Sequence, residues 1–209
     1  MKTKKKRKKV LLIVQGFWPV KFKNKFVERI RNLIVRKAAI FNSDYDHLAE
    51  YFRKDYDIIE IFRWQSRLTK KELIKATDEF EKMLRKYKGE YIDLISVSMG
   101  GKISQNVLAR NKNIKIHQIL YIGAIHHGNH EFENVKSAIN VYSPVDKVFF
   151  YVNDIYEGLG NAFLQGKNVI NIALNGIAHD KWCRNVPLNE KFLKHKHLYD
   201  LYRDLLLSN

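Results

Sequence analysis

The chain has 209 residues, 45% hydrophobic and 12% aromatic, with a formal net charge of +16. Such a chain can bury one sizeable core, and its composition excludes disorder over most of its length. The single cysteine, Cys183, excludes an internal disulfide, and no stretch approaches the roughly 20 apolar residues of a membrane span.

Seven of the positive charges fall in the first nine residues, "MKTKKKRKK". The expectation is a disordered basic tail over 1–9, either simply solvated or drawn to anionic lipid or nucleic acid. The apolar run behind it, "VLLIV", has five residues. Secretory signals need about 7–15 there, so the expected location is cytoplasmic, peripheral at most to a membrane surface. No nucleic-acid recognition motif follows, and a basic tail alone gives only salt-sensitive, non-specific affinity. Residues 10–209 read as a single domain.

"KVLLIVQGF" is the first predicted strand, a β-branched apolar run stopped by Gly16. Over 18–42, Phe26, Ile30, Leu33 and Ile34 take the spacing of one helical face beside Lys25, Arg29, Arg31, Arg36 and Lys37. This segment reads either as an amphipathic flap that meets anionic lipid and covers a site, or as an ordinary surface helix. "YDIIEIF" and "YIDLISV" are the next two strands. Between them, Leu73, Ala76, Phe80, Met83 and Leu84 share one helical face, with Thr69 placed to cap its start. "IKIHQILYIGA", "SAINVYS" and "KNVINIAL" complete six strands, and "HLYDLYRDLLLSN" closes the chain with Leu198, Leu201, Leu205 and Leu206 in a stripe. This alternation predicts an α/β fold: a mostly parallel sheet of about six strands with helices on both faces.

Loops at the carboxyl ends of such strands are where sites form. "SVSMGG", at 96–101, places Ser98 between a strand and a helix. A serine hydroxyl needs a base, a carboxylate to orient that base, and donors for an oxyanion. Asp146, past the fifth strand in "NVYSPVDKV", and His179, past the sixth in "NGIAHDKW", supply the chain order Ser, Asp, His. Asp146 also reads as the N-cap of "DKVFFYVNDIY", where Asp154 and Glu157 are weaker acid candidates. His47 and His117 precede Asp146 and are poorly placed as the base. Met99 N–H follows the serine and Phe17 N–H follows the Gln15-Gly16 turn, so these two amides are the candidate oxyanion donors. His126, His127 and His130 lie close together, but no cysteine or second cluster supports zinc. No metal and no cofactor are expected.

These motifs resemble the lipase and esterase branch of the α/β-hydrolases. "LLIVQGFW" is similar to the oxyanion strand and loop, "DLISVSMGG" to the "GHSMGG" elbow, and "YIGAIHHGNH" to "LGTPHHGS". Ser96 stands where the family has glycine, Gln15 where it often has histidine, and Ile125 where it has proline. The resemblance implies an α/β-hydrolase fold and a Ser98–His179–Asp146 triad cleaving a carboxylic ester, lipid or acyl, through an acyl-enzyme. Gln15, Gly16, His126 and His127 would shape the edge of the site. A thioesterase or acyltransferase would use the same residues. The alternative is a catalytically relaxed protein of this fold that binds anionic membrane surfaces or a partner. Only 47 residues lie between Ser98 and Asp146, and 32 between Asp146 and His179, so no large cap domain is expected.

Overall fold

A computed structural model describes residues 6–16, 43–64, 70–126, 129–144, 146, 163–188 and 194–208. Within them six strands, β1 (Lys9–Val14), β2 (Ile58–Phe62), β3 (Tyr91–Val97), β4 (Ile116–Ile122), β5 (Val135–Tyr142) and β6 (Val169–Ala173), form one sheet in the order β2-β1-β3-β4-β5-β6. Every neighbouring pair is parallel. Helical residues 43–51 (α1) precede β2, α2 (Lys70–Lys86) joins β2 to β3, α3 (Gly100–Arg110) joins β3 to β4, and α4 (Leu198–Leu207) ends the chain.

The near-continuous apolar runs of β1 and β4 are what a sheet covered on both faces requires. Side chains alternate between the faces. Val10, Leu12 and Val14 of β1 pack with Leu73, Phe80 and Leu84 of α2 and with Ile103 and Val107 of α3. Leu11 and Ile13 point the other way, against Tyr45 and Leu48 of α1 and Leu198, Leu201 and Tyr202 of α4. Val10 to Val14 are fully buried, and each such side chain contributes about 1.5–3 kcal/mol.

The strand expectations stand with shifted ends. β5 begins at Val135, ahead of "SAINVYS", because Ile116 and Val135 are already in register. On α2, Met83 is only partly buried, and Thr77 is buried in the stripe. Its Oγ1 donates to the Leu73 carbonyl at 2.8 Å, which lets a hydroxyl lie on an apolar face. Among the described residues no helix is long and apolar enough to cross a membrane. Thr69, the 18–42 segment, and Asp154 and Glu157 lie outside the described residues, as do 1–5 of the basic tail.

Parallel strands put all their carboxyl ends at one edge. β1 leads into Gln15-Gly16, β3 into Ser98 and β4 into Gly123, and the chain past β5 and β6 supplies Asp146 and His179. These are the loops that build the site.

Candidate active site

Ser98 has φ +50°, the one non-glycine residue with positive φ among those described. That backbone costs about 1–3 kcal/mol and persists only where the surroundings over-determine it. Here they do. Ser98 N–H donates to the Ile122 carbonyl at 3.2 Å, and its own carbonyl accepts from Gly101 N–H at 3.0 Å and Ile125 N–H at 2.8 Å. The turn is thus stitched to the end of β4 and to the first turn of α3.

Close backbone approach completes the turn. A Cβ on Gly16 would sit 2.6 Å from Ser98 Cβ, and one on Gly100 would sit 2.3 Å from the Val14 carbonyl oxygen. Neither position has room for a side chain. Ser96, where the resembled elbow has glycine, is fully buried, and its Oγ lies 2.7 Å from Ser104 Oγ on α3. The hydroxyl therefore has a partner inside the strand–helix packing and does not enter the site.

Ser98 Oγ lies 2.9 Å from His179 Nε2, and His179 Nδ1 lies 2.7 Å from Asp146 Oδ2. A carboxylate only accepts, so the imidazole proton is on Nδ1 and Nε2 is left as the acceptor for the serine hydroxyl. Asp146 and Ser98 are buried, and the His179 side chain is 23% exposed. His179 opens a short 3-10 turn, His179–Lys181, which carries Trp182 inward behind it. Trp182 Nε1–H donates to the same Asp146 Oδ2 at 3.2 Å. Its indole lies on Gly123, which has φ +48°, and a Cβ there would meet Nε1 at 2.3 Å. Glycine at 123 thus makes room for the ring that steadies the carboxylate.

The remaining expected residues divide. Met99 precedes α3 directly and its side chain is buried in the core, so its amide sits beside Ser98 at the positive end of the helix dipole. Gly16 N–H donates to Tyr45 Oη at 3.0 Å, and the Gln15 carbonyl accepts from Trp64 Nε1 at 2.9 Å. Phe17 and His127 lie outside the described residues. His126 is fully buried, one residue past the Ile125 N–H that bonds Ser98, and meets the Tyr121 ring at 6.0 Å. Burial pushes its pKa from 6.5 down to about 4, a hydrogen bond with Asn140 working the other way. His130 is likewise lowered to about 4, by burial first and by nearby His126 second. Its Nδ1 is 3.2 Å from Tyr121 Oη. Both are therefore neutral rings in a buried polar layer behind α3. Among the described residues no group of three or more His, Cys, Asp or Glu could hold a metal ion.

Sequence reasoning missed Trp182, Tyr45, Ser104 and Gly123. Trp182 had a signal, since it ends the "NGIAHDKW" segment three residues past His179. The other three are linked to the site only through the folded packing.

No protein-family model and no curated protein matches the sequence. Among solved structures, a dienelactone hydrolase from Anabaena variabilis superposes with a TM-score of 0.53 at 9% identity, covering 97% of this chain and 85% of that one. A protein of unknown function from Agrobacterium tumefaciens aligns with a TM-score of 0.45 at 15% identity, over 84% and 78% of the two chains. At 9% identity the property shared with the first is its architecture, and it agrees with the parallel sheet and the strained serine turn after β3: the chain has the α/β-hydrolase fold.

Proposed function

We propose that the protein is a serine hydrolase that cleaves a carboxylic ester. The observation that carries this reading is the unbroken line from Ser98 Oγ through His179 to Asp146, at 2.9 and 2.7 Å, with the serine on a strained turn. His179 Nε2 takes the hydroxyl proton as Ser98 Oγ attacks the ester carbonyl. Asp146 holds the Nδ1–H tautomer and stabilises the imidazolium. The tetrahedral oxyanion is received by backbone amides. Met99 N–H is one of them. Gly16 N–H is occupied by Tyr45, so the amide after it, that of Phe17, is assigned the second role by its place in the chain. Collapse of the intermediate breaks the ester C–O bond, and His179 returns its proton to the departing alkoxide. Water then attacks the acyl-enzyme, His179 again acting as base, to release the acid and free Ser98.

An acyl thioester would follow the same steps with a thiol leaving. An acyltransferase would replace water with an alcohol. Lipid and acyl esters are both within the chemistry. The relaxed, non-catalytic alternative is the weaker reading, because a relaxed elbow has no need of a strained Ser98 aligned with an oriented base.

Labelling with a fluorophosphonate probe tests the proposal. The wild-type chain should be labelled at Ser98, and Ser98→Ala should lose the label while keeping its thermal midpoint. Turnover of p-nitrophenyl esters should fall by roughly 10⁴–10⁶-fold in that variant. A folded wild type that takes no label at Ser98 overturns the reading.

A further inference from the structure

The amino edge of the sheet, opposite the site, carries a cationic surface with no role in the chemistry above. The segments that lead into β1, β2, β3 and β4 present Lys8, Lys54, Lys88, Lys112 and Lys115, all exposed, with Lys86 beside them at the end of α2. Lysines outnumber the acids on these segments, which are Asp55, Asp57 and Glu90, and among the described residues only Asp55 of these is paired with a cation. Glu90 accepts the Lys8 backbone N–H at 2.6 Å, Asp57 accepts that of Lys9 at 2.8 Å, and Asp55 holds Arg203 through two bonds of 2.8 Å. Among the described residues no ion pair neutralises Lys54, Lys86, Lys88, Lys112 or Lys115. The basic run of residues 2–9 joins the sheet at this same edge, through Lys9 at the start of β1.

From these observations we infer that the amino edge docks on a bilayer surface bearing anionic headgroups. Four adjacent parallel strands, each about 4.8 Å from the next, set these charges along one end of the sheet. The cations are almost all lysines. An ammonium is a compact hydrated point charge suited to diffuse attraction, whereas arginine is the residue of choice for nucleic-acid recognition. The aromatic rings at this edge are also committed. Tyr87 Oη donates to Glu60 Oε1 at 2.5 Å, and the Tyr91 ring lies 4.2 Å from that of His117. They offer no platform on which bases would stack.

Docking has a geometric consequence. Strands of five to eight residues at about 3.3 Å each put Ser98 on the order of 20 Å from the docked edge. The triad then faces the aqueous side, so the ester that reaches it arrives from solution and not from the bilayer beneath. The docking stands whether or not Ser98 is a nucleophile. Only this consequence rests on the proposed hydrolysis.

Co-sedimentation of the full chain with vesicles of phosphatidylcholine, with and without phosphatidylserine, tests the inference. Binding should require phosphatidylserine and weaken as salt is raised. The variant Lys54→Gln/Lys88→Gln/Lys112→Gln/Lys115→Gln should lose on the order of a hundredfold or more in vesicle affinity, at about fivefold for each lysine near an anionic surface. The control Lys70→Gln/Lys71→Gln/Lys75→Gln/Lys82→Gln, with the same loss of charge on α2, should stay near wild type. Matched thermal midpoints show that both variants are folded. Equal losses in the two variants overturn the inference. So does duplex DNA that strips the protein from vesicles at equal phosphate, which would assign the face to nucleic acid. Binding abolished by Lys2→Gln/Lys4→Gln/Lys5→Gln/Lys6→Gln but untouched by the edge variant would assign it to the tail alone.

Discussion

Among the described residues, two buried aspartates each hold an imidazole, one at each end of β3. At the carboxyl edge, Asp146 holds His179 Nδ1 at 2.7 Å, and Nε2 faces Ser98 Oγ at 2.9 Å. At the amino edge, Asp93 holds His117 Nδ1 at 3.0 Å, and Nε2 faces Lys136 Nζ at 3.3 Å. The local geometry is nearly the same, and the third partner decides what each can do. A serine hydroxyl gives its proton to Nε2 and becomes a nucleophile. A lysine ammonium gives Nε2 a hydrogen bond and leaves no oxygen to activate. The orienting partners differ in kind as well. Asp146 takes a second bond from the indole of Trp182, which directly follows the His179 turn. Asp93 takes its second bond from Tyr56 Oη at 2.8 Å, with Lys9 4.7 Å over that ring, so it ties the sheet to the loop before β2. An Asp–His pair is therefore no mark of catalysis. The atom opposite Nε2, and the strain of the residue that carries it, are.

The sharpest way to break this comparison is to make the same change in both pairs. Asp146→Asn should lower kcat on p-nitrophenyl esters by about 10⁴-fold, because an amide favours the wrong imidazole tautomer, while leaving the fold intact. Asp93→Asn should leave kcat within a few-fold and act on the thermal midpoint instead. If the two variants lose similar activity, the amino-edge pair is coupled to the chemistry and the distinction fails.

Sequence reasoning located one of these pairs and passed over the other, for a physical reason. Ser98, Asp146 and His179 each follow a strand, and carboxyl ends of parallel strands converge at one edge whatever the details of packing. His117 precedes Asp146 and is poorly placed for the chain order Ser, Asp, His. Its partner Asp93 lies 24 residues earlier, and the two meet because β3 and β4 are neighbours, with Asp93 opposite Gln118. Strand order and register are not written in local periodicity. The same holds for Tyr45 on Gly16 and Ser104 under Ser96, which depend on how α1 and α3 lie on the sheet. The strands themselves were legible because apolar runs bounded by glycine and charge need no partner to be recognised. His126 adds a burial that its motif does not announce, since the packing of the chain beyond β4 encloses it.

The dependence of stability on pH sharpens the comparison next. His126 and His130 have folded pKa values near 4 against 6.5 for an ordinary histidine. Between those values the unfolded chain binds protons that the folded chain refuses. Their stabilisation is present above pH 6.5 and lost progressively as pH falls through 4, on the order of a few kcal/mol in total. Asp93 runs the other way. Burial raises its pKa above 3.8, against hydrogen bonds from Tyr56 and His117, so its contribution is present at low pH and lost as pH rises through the raised value. Urea unfolding at about pH 7 and pH 4.5 should show the histidines prevailing, with lower stability in acid. Asp93→Asn removes the opposing contribution and should make that loss steeper. His130→Phe should make it shallower. A flat profile in Asp93→Asn, where the opposing contribution is gone, would show that neither ring is held neutral by burial.

The smallest expected effect lies between the two pairs, at Ser96. It faces α3, on the side of β3 opposite Asp93, and its contact with Ser104 joins strand to helix two residues before the strained Ser98. Replacing one hydroxyl strands its buried partner, at about 1–3 kcal/mol, reduced where Ser104 turns back to a carbonyl of its own helix. Replacing both leaves an apolar contact and can be nearly neutral. Ser96→Ala and Ser104→Ala should therefore each lower the thermal midpoint, and the double variant should recover part of the loss. If the pair also holds the elbow, each single variant lowers kcat several-fold with KM unchanged, and Ser96→Thr keeps more activity than Ser96→Ala. Single effects that simply add in the double variant would show that the two hydroxyls act apart. The serine at 96 would then be only a small residue that fits where the elbow is tight.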